Sequence, residues 1–266
     1  MRTPIALSIA GSDPSGGAGI QADLKAISAR GVYAAAAITV VTVQNTRGVS
    51  AVEALAPALV AAQIRTVLED LEVGAVKIGA LGSAPIVEAV AGALAGFAGP
   101  VVLDPVMVAK SGDPLLGAEA VAALREHLLP RATLVTPNLP EAAALTGLAP
   151  AADEAEMAAQ GAALCALGAG HALVKGGHGA GAESVDLLIG PDGQRRLTAP
   201  RLPTRHTHGT GCTLSAAIAA DLAKGTDLAA AVAGAKTYLT GALAAADALG
   251  IGQGIGPVHH FHAHWR

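Results

Sequence analysis

Residues 5–31 read IALSIAGSDPSGGAGIQADLKAISARG, and their pattern sets the architecture. IALSIA (5–10) is a continuous apolar run bounded by Pro4 and Gly11, as in a strand buried on both faces. Residues 18–30 then carry Ile20, Leu24 and Ile27 at spacings of four and three, which predicts a helix, with Gly31 suited to its C-terminal stop. A glycine-rich turn joins the two. Strand, turn and helix in this order make the first half of a βαβ unit.

The same alternation runs outward along the chain. AAAITVVTV (35–43), AVKIGAL (75–81), PVVLD (100–104), TLVT (133–136) and HALVK (171–175) read as buried strands. Helical segments separate them: 57–71 and one from Pro85, each opened by a proline that suits a first turn, then 117–129, and short helices from Pro140 and Asp153. SVDLLIG and QRRLTA flank a Pro-Asp-Gly turn and predict an antiparallel hairpin at the sheet edge. Two alanine-rich helices, about 210–223 and 227–248, close the chain. The expected fold is α/β, a three-layer αβα arrangement around a mostly parallel central sheet. No repeat or linker divides the sequence, so residues 1–266 are expected to form a single domain.

Composition removes whole classes of function. Hydrophobic residues make up 52% of the 266 but aromatics only 2%, so the core must be built from Ala, Val, Leu and Ile, and disorder is excluded. Net charge is −4 and Lys and Arg are dispersed, which leaves no nucleic-acid footprint. Two cysteines, Cys165 and Cys212, make no disulfide framework and suit a reducing compartment. The N-terminal apolar run is shorter than a signal peptide requires, and no stretch approaches the roughly 20 apolar residues of a membrane span. A cytoplasmic protein is expected, with no membrane partner.

Chemistry collects in the turns after the strands. HGTGCTLSAAIAADL (208–222) sets Gly209, Thr210 and Gly211 before a helix, where bare amides form an anion site. Cys212 falls in the first turn, where the helix dipole is expected to lower the thiol pKa and favour thiolate. GSDPSGGAGIQADLK (11–25) is neither a Walker A loop nor a dinucleotide fingerprint, and its Asp23 lies one turn into the helix. Gln44 follows the second strand, and its amide can read the edge of an aminopyrimidine as Gln reads adenine. Asp104 ends another strand and opens a Gly-, Pro- and Ser-rich stretch, 104–117, that suits a covering loop. Asn138 and Glu141, three apart, can share a Mg²⁺ water shell or form a capping box. Lys175 ends a strand before two glycines and can neutralise phosphate charge. HHFHAHWR (259–266) has the composition of a metal-binding tract, but its spacing is irregular. Each segment has a bland reading alone; together they bring a positioned acceptor, a cation and an anion hole to one sheet edge, the set that phosphoryl transfer needs.

AGSDPSGGAGIQADLK, VVTVQNT, VKIG, DPVMVAKSG, TPN, VKGGH and HGTGCTLSAAIAA occur in the order found in hydroxymethylpyrimidine/phosphomethylpyrimidine kinases of the ribokinase-like superfamily, and the chain resembles them from Ile5 to about Phe261. The resemblance implies two successive Mg²⁺- and ATP-dependent phosphorylations of 4-amino-5-hydroxymethyl-2-methylpyrimidine in thiamine biosynthesis. It implies that Gly11, Asp23, Gln44 and Met107 line the pyrimidine site. Asp104, Asn138, Glu141, Lys175 and Thr210 would serve Mg·ATP, with Glu141 and Asp104 toward the metal. Gly209, Gly211 and Cys212 would hold the transferring phosphoryl, Cys212 standing where related sugar kinases carry an aspartate base. A homodimer is the assembly expected. One departure is Ala80, where the family usually has Met, which removes an apolar side chain from the substrate wall. Pyridoxal kinase activity is the first alternative. A non-catalytic pyrimidine sensor and a sugar kinase are the others.

Overall fold

The computed structural model describes residues 2–107, 116–177 and 181–265. Most of the covering loop expected within 104–117 lies outside the described residues, as do His178 and Gly179 of the VKGGHG segment. Nine strands form one sheet: β1 (Ile5–Ser12), β2 (Tyr33–Asn45), β3 (Gly48–Ala54), β4 (Ala75–Ile78), β5 (Val101–Leu103), β6 (Leu134–Val135), β7 (Ala172–Lys175), β8 (Glu183–Gly190) and β9 (Gly193–Pro200). Their order across the sheet is β3-β2-β1-β4-β5-β6-β7-β8-β9. The six strands from β2 to β7 run parallel, while β3 at one end and the β8–β9 hairpin at the other are antiparallel.

The helices are α1 (Gly19–Ala29), α2 (Pro57–Asp70), α3 (Ala84–Ala93), α4 (Ala118–Ala123), α5 (Leu139–Thr146), α6 (Glu154–Ala166), α7 (Thr210–Ala223) and α8 (Leu228–Ala244). Proline stands in the first turn of α2, α3 and α5, where its missing N–H costs nothing. The single helix expected over 117–129 is α4 continued by a π turn (Leu124–Leu128) and a 3-10 turn (Leu129–Arg131). β3 answers to no sequence expectation. All seven of its residues are exposed or half-buried, so it has no apolar run to betray it.

Alternation along the central strands builds two apolar layers. Leu7 and Ile9 of β1 face one layer with Val76, Ile78 and Leu103, covered by Val60 and Ile64 of α2 and Ile86 and Val87 of α3. Ala6 faces the other layer with Ala75, Val102, Leu134 and Leu173, covered by α1, α7 and α8. On that side α7 contributes Leu214 and the run Ala216–Ala220, all buried. Small side chains let this helix lie close over the sheet, which is how a core almost without aromatics stays dense.

Within the terminal histidine tract, His260 packs against α7 and α8. His260 Nε2 lies 3.1 Å from Thr213 Oγ1 on α7, and Tyr238 of α8 donates to the His260 carbonyl at 2.7 Å. Burial depresses the His260 pKa to about 3, so the ring is neutral. Among the described residues no three histidines, cysteines or carboxylates cluster as a metal site. Among the same residues no helix is long and apolar enough to cross a membrane.

Candidate active site

Strand order reverses between β1 and β4, and ligands of open α/β sheets bind in the crevice beyond the strand ends at such a point. There the chain leaves a cavity of about 820 Å³. Gly11 of β1, Gln44 of β2, Ala80 after β4, Asp104 after β5, Asn138 after β6 and Lys175 of β7 all border it. The start of α7, from Gly209 to Cys212, forms the opposite wall together with Met107 and Glu141. Of the residues singled out from sequence, Asp23 alone stands outside this lining.

Two glycine segments remote in sequence interlock to make the wall. Gly209 caps α7 with φ of 80°, a left-handed conformation suited to glycine. A Cβ there would overlap the Gly17 carbonyl oxygen, and a Cβ on Gly17 would meet the His208 ring. His208 Nε2 also lies 2.7 Å from Asp13 Oδ2. Asp13 is further held by backbone amides, Ser15 N at 2.9 Å and Ala18 N at 2.8 Å. Burial raises the Asp13 pKa, but the bonds from His208 and Ser15 outweigh it and hold the carboxyl below its ordinary value. Neither Asp13 nor His208 was singled out from sequence. Their pairing spans almost the whole chain, and only HGTG beside a buried glycine turn hinted at it.

Beside this wall lies a group of charges. Lys175 Nζ donates to Asp104 Oδ1 at 3.0 Å, and a Cβ on Gly211 would lie 3.4 Å from Lys175 Nζ and from Asp104 Oδ2. Thr136 and Ser215 donate to the two Asp104 oxygens at 3.2 Å each. Burial opposes the charge on Asp104, yet Lys175, Lys77 and these bonds hold its pKa low. Asp104, expected to serve the metal, is thus already engaged as the anchor of Lys175. Burial also works against the Lys175 ammonium, but Asp104 and Glu141 raise its pKa.

Asn138 and Glu141 form the capping box of α5: Glu141 N donates to Asn138 Oδ1 at 2.9 Å and Asn138 N to Glu141 Oε2 at 2.8 Å. Burial, with Asp104 adding to it against the pull of Lys175, pushes the Glu141 carboxyl up to about 7. The capping and cavity-lining readings of this pair hold together.

Two expectations are overturned beneath the cavity floor. Asp23 does not reach the cavity: it is fully buried, accepting from Lys77 Nζ at 2.7 Å and Ser8 Oγ at 2.6 Å. Its pKa is raised by burial against the pull of Lys77. Lys77 is equally buried, yet its pKa is raised because Asp23, Cys212 and Asp104 surround it. This lysine was quoted in VKIG, but nothing in its strand announced a partner 54 residues away. The second correction concerns Cys212. Its pKa is not lowered by the helix start but pushed up to about 11. Burial of the sulfur dominates; Lys77 pulls the value down, the Asp23 and Asp104 carboxylates push it up, and the Gly19 amide lowers it least. At neutral pH the group is a thiol.

The cavity lining also reaches the end of β9 and α8. Pro200, Leu202, Leu239 and Leu243 supply an apolar slot. At its margin Lys236 Nζ bonds Asp186 Oδ2 at 2.6 Å. Residues 199–204 and α8 carried no functional expectation, because leucines on an alanine-rich helix look like core.

The cavity therefore brings the amides at the start of α7, a lysine and several apolar side chains together. The phosphomethylpyrimidine kinase family model matches residues 13–259. The hydroxymethylpyrimidine/phosphomethylpyrimidine kinase of Rhizobium meliloti is 59% identical over 264 residues, covering 99% of each chain. Among solved structures, the ADP complex of Bacillus subtilis pyridoxal kinase superposes with a TM-score of 0.91 at 36% identity, over 100% of both chains. The phosphomethylpyrimidine kinase of Clostridium difficile 630 is 42% identical with a TM-score of 0.79, over 89% of this chain and 97% of that one. A sheet of this order, a glycine-capped helix facing the strand ends and a match along nearly the whole sequence lead to one conclusion: the chain belongs to the phosphomethylpyrimidine kinase family.

Proposed function

We propose that this kinase transfers the γ-phosphoryl of ATP to the 5-hydroxymethyl oxygen of 4-amino-5-hydroxymethyl-2-methylpyrimidine, and then a second phosphoryl to the monophosphate, in thiamine biosynthesis. One observation carries the reading: a single cavity runs from Gln44, able to bond the ring edge, to the amides of Gly209–Cys212 and to Lys175. The ring would rest among Gly11, Gln44, Ala80 and Met107. The apolar slot of Pro200, Leu202, Leu239 and Leu243 suits the adenine of ATP, with Thr210 and Lys175 toward its phosphates.

In the first transfer a bond forms between the hydroxymethyl oxygen and the γ-phosphorus while the bond to the β-phosphate oxygen breaks, and ADP leaves. Charge spreads over the equatorial oxygens, where the α7 amides and Lys175 would stabilise it. A thiol with a pKa of about 11 keeps its own hydrogen and cannot take another, so Cys212 is assigned to orienting the attacking hydroxyl through its sulfur, and the hydroxyl proton passes to an oxygen of the transferred phosphoryl.

The donor set fits Mg²⁺. Among the described residues no all-protein cage exists, which suits an ion that keeps waters and takes one or two carboxylates plus phosphates. Glu141, buried and reluctant to ionise, is the carboxyl that a cation would stabilise, with Asn138 beside it. When bound, Mg²⁺ would neutralise charge on the phosphates. Asp104 would act through Lys175.

A second reading, phosphorylation of pyridoxal, is favoured by Ala80, which narrows nothing at the ring wall, and by the likeness to pyridoxal kinase. Product analysis separates them: with Mg·ATP, the aminopyrimidine should yield mono- and then diphosphate at higher kcat/KM than pyridoxal yields its phosphate. The reverse preference would transfer the assignment to pyridoxal. The homodimer reading draws support from Val41 and Val43, 43% and 60% exposed on the face of β2 turned away from the cavity-lining Val40 and Thr42. Sedimentation equilibrium at micromolar concentration, with Val43→Lys as control, tests it.

A further inference from the structure

The hydrogen bonds around Gln44 can be satisfied in only one way. Its amide nitrogen lies 3.4 Å from His208 Nε2, and its amide oxygen 3.1 Å from Thr42 Oγ1. The His208 nitrogen also faces Asp13 Oδ2 at 2.7 Å, and an ionised carboxylate accepts only, so Nε2 carries the hydrogen. An N–H of His208 against an NH₂ of Gln44 sets donor against donor. On the other side, Thr42 has one hydroxyl hydrogen, and the Ser12 carbonyl at 2.9 Å takes it. Oxygen then faces oxygen. Turning the amide by half a rotation cures both conflicts. Its oxygen then meets the His208 N–H as a second, weaker acceptor beside Asp13, its nitrogen donates to Thr42 Oγ1, and the Thr42 hydrogen stays with Ser12. Thr42 and His208 are both buried, so water offers little compensation for the opposite flip.

We propose that Asp13 and His208 on one side and Thr42 on the other lock the Gln44 amide in this orientation, and that the lock makes the cavity select a 4-amino over a 4-oxo pyrimidine. The inference rests on the aminopyrimidine reading above. In the locked amide one lone pair of oxygen and one hydrogen of nitrogen remain unused. A 4-aminopyrimidine fills both, its exocyclic amine donating to the oxygen and its N3 accepting from the nitrogen. A 4-oxo ring with hydrogen on N3 presents the inverse pattern and matches only a flipped amide. Asp13, His208 and Thr42 are therefore positioning residues, acting through Gln44.

The test is steady-state kinetics with 4-amino-5-hydroxymethyl-2-methylpyrimidine and its 4-oxo counterpart, both with Mg·ATP. The wild-type enzyme is expected to prefer the amino compound by about 10–100-fold in kcat/KM, the penalty of a mismatched buried pair. His208→Leu and Thr42→Val release the amide, and each is expected to reduce that ratio by roughly fivefold or more. His208→Gln, which returns an N–H donor, is expected to restore it. If His208→Leu does not fold, Thr42→Val decides alone. Equal loss on both substrates, with the ratio intact, would overturn the lock and leave these residues merely structural. A wild-type enzyme inert toward the aminopyrimidine would sink the substrate reading, and the lock with it.

Discussion

At the scale of single residues, Cys212 makes the sharpest demand. Its thiol is protonated at neutral pH, so it can matter only where a hydroxyl proton must be oriented by its sulfur. The first transfer has such a proton, whereas the attacking group in the second is a phosphate oxygen already ionised. Cys212→Ala should lower kcat of the first phosphorylation by about 10²-fold or more and affect the second much less, while nucleotide affinity stays. Following both products by mass spectrometry against time checks this, and equal losses in both steps would remove the thiol from proton handling. Glu141 sets a pH dependence. Its carboxyl titrates near 7, above the ordinary carboxylate range, so it is largely protonated below that pH. A bound cation needs the ionised form. Affinity for Mg·ATP should therefore fall as pH drops below about 7 and level off above it, and Glu141→Gln should flatten the profile. Calorimetric titration between pH 6 and 8 measures it. Lys77 illustrates a charge whose loss is structural first: Lys77→Met strands Asp23 in the core and should cost about 3–5 kcal/mol, seen as a lower denaturation midpoint.

At the scale of elements, the loop before α1 and the loop before α7 stand or fall together. Gly209→Ala adds a Cβ where the Gly17 carbonyl already sits and forces alanine into a left-handed conformation. It should destabilise the chain by roughly 1–3 kcal/mol and abolish measurable turnover, both visible in one preparation by thermal melt and assay. How far the sequence foretold these elements follows from what each buries. The parallel strands and their helices were legible because apolar runs and 3.6-residue spacing mark what is hidden on both faces. The late hairpin was legible from its Pro-Asp-Gly turn. β3 was not, since it pairs through its backbone at an edge and buries no side chain. At the site, glycines and strand-end polar residues pointed to the right crevice. The depth of each residue was not legible: Asp23 and Gln44 look alike as polar residues in segments that follow apolar strands, yet one is fully buried with Lys77 and the other borders the cavity. Such a distinction depends on partners dozens of residues away. The thiol of Cys212 was misjudged for the same reason, because helix position is local and burial is not.

For the whole molecule, a cavity bordered by nearly every parallel strand and by α7 and α8 couples ligand binding to global stability. Nucleotide at a hundred times its Kd should add about 2.7 kcal/mol and raise Tm by roughly 5–10 °C. Differential scanning calorimetry with and without Mg·ATP checks this.

The contact between Gly17 and Gly209 carries a last consequence, for the chain as it is made. Synthesis is vectorial, and the turn that first emerges must wait for a partner translated long afterwards. Until then the early strands can pair and bury their side chains, but the phosphate cradle has no rim. A ribosome-bound or truncated product ending before residue 209 would thus be catalytically silent however well its first strands had assembled, so that activity arrives only with completion.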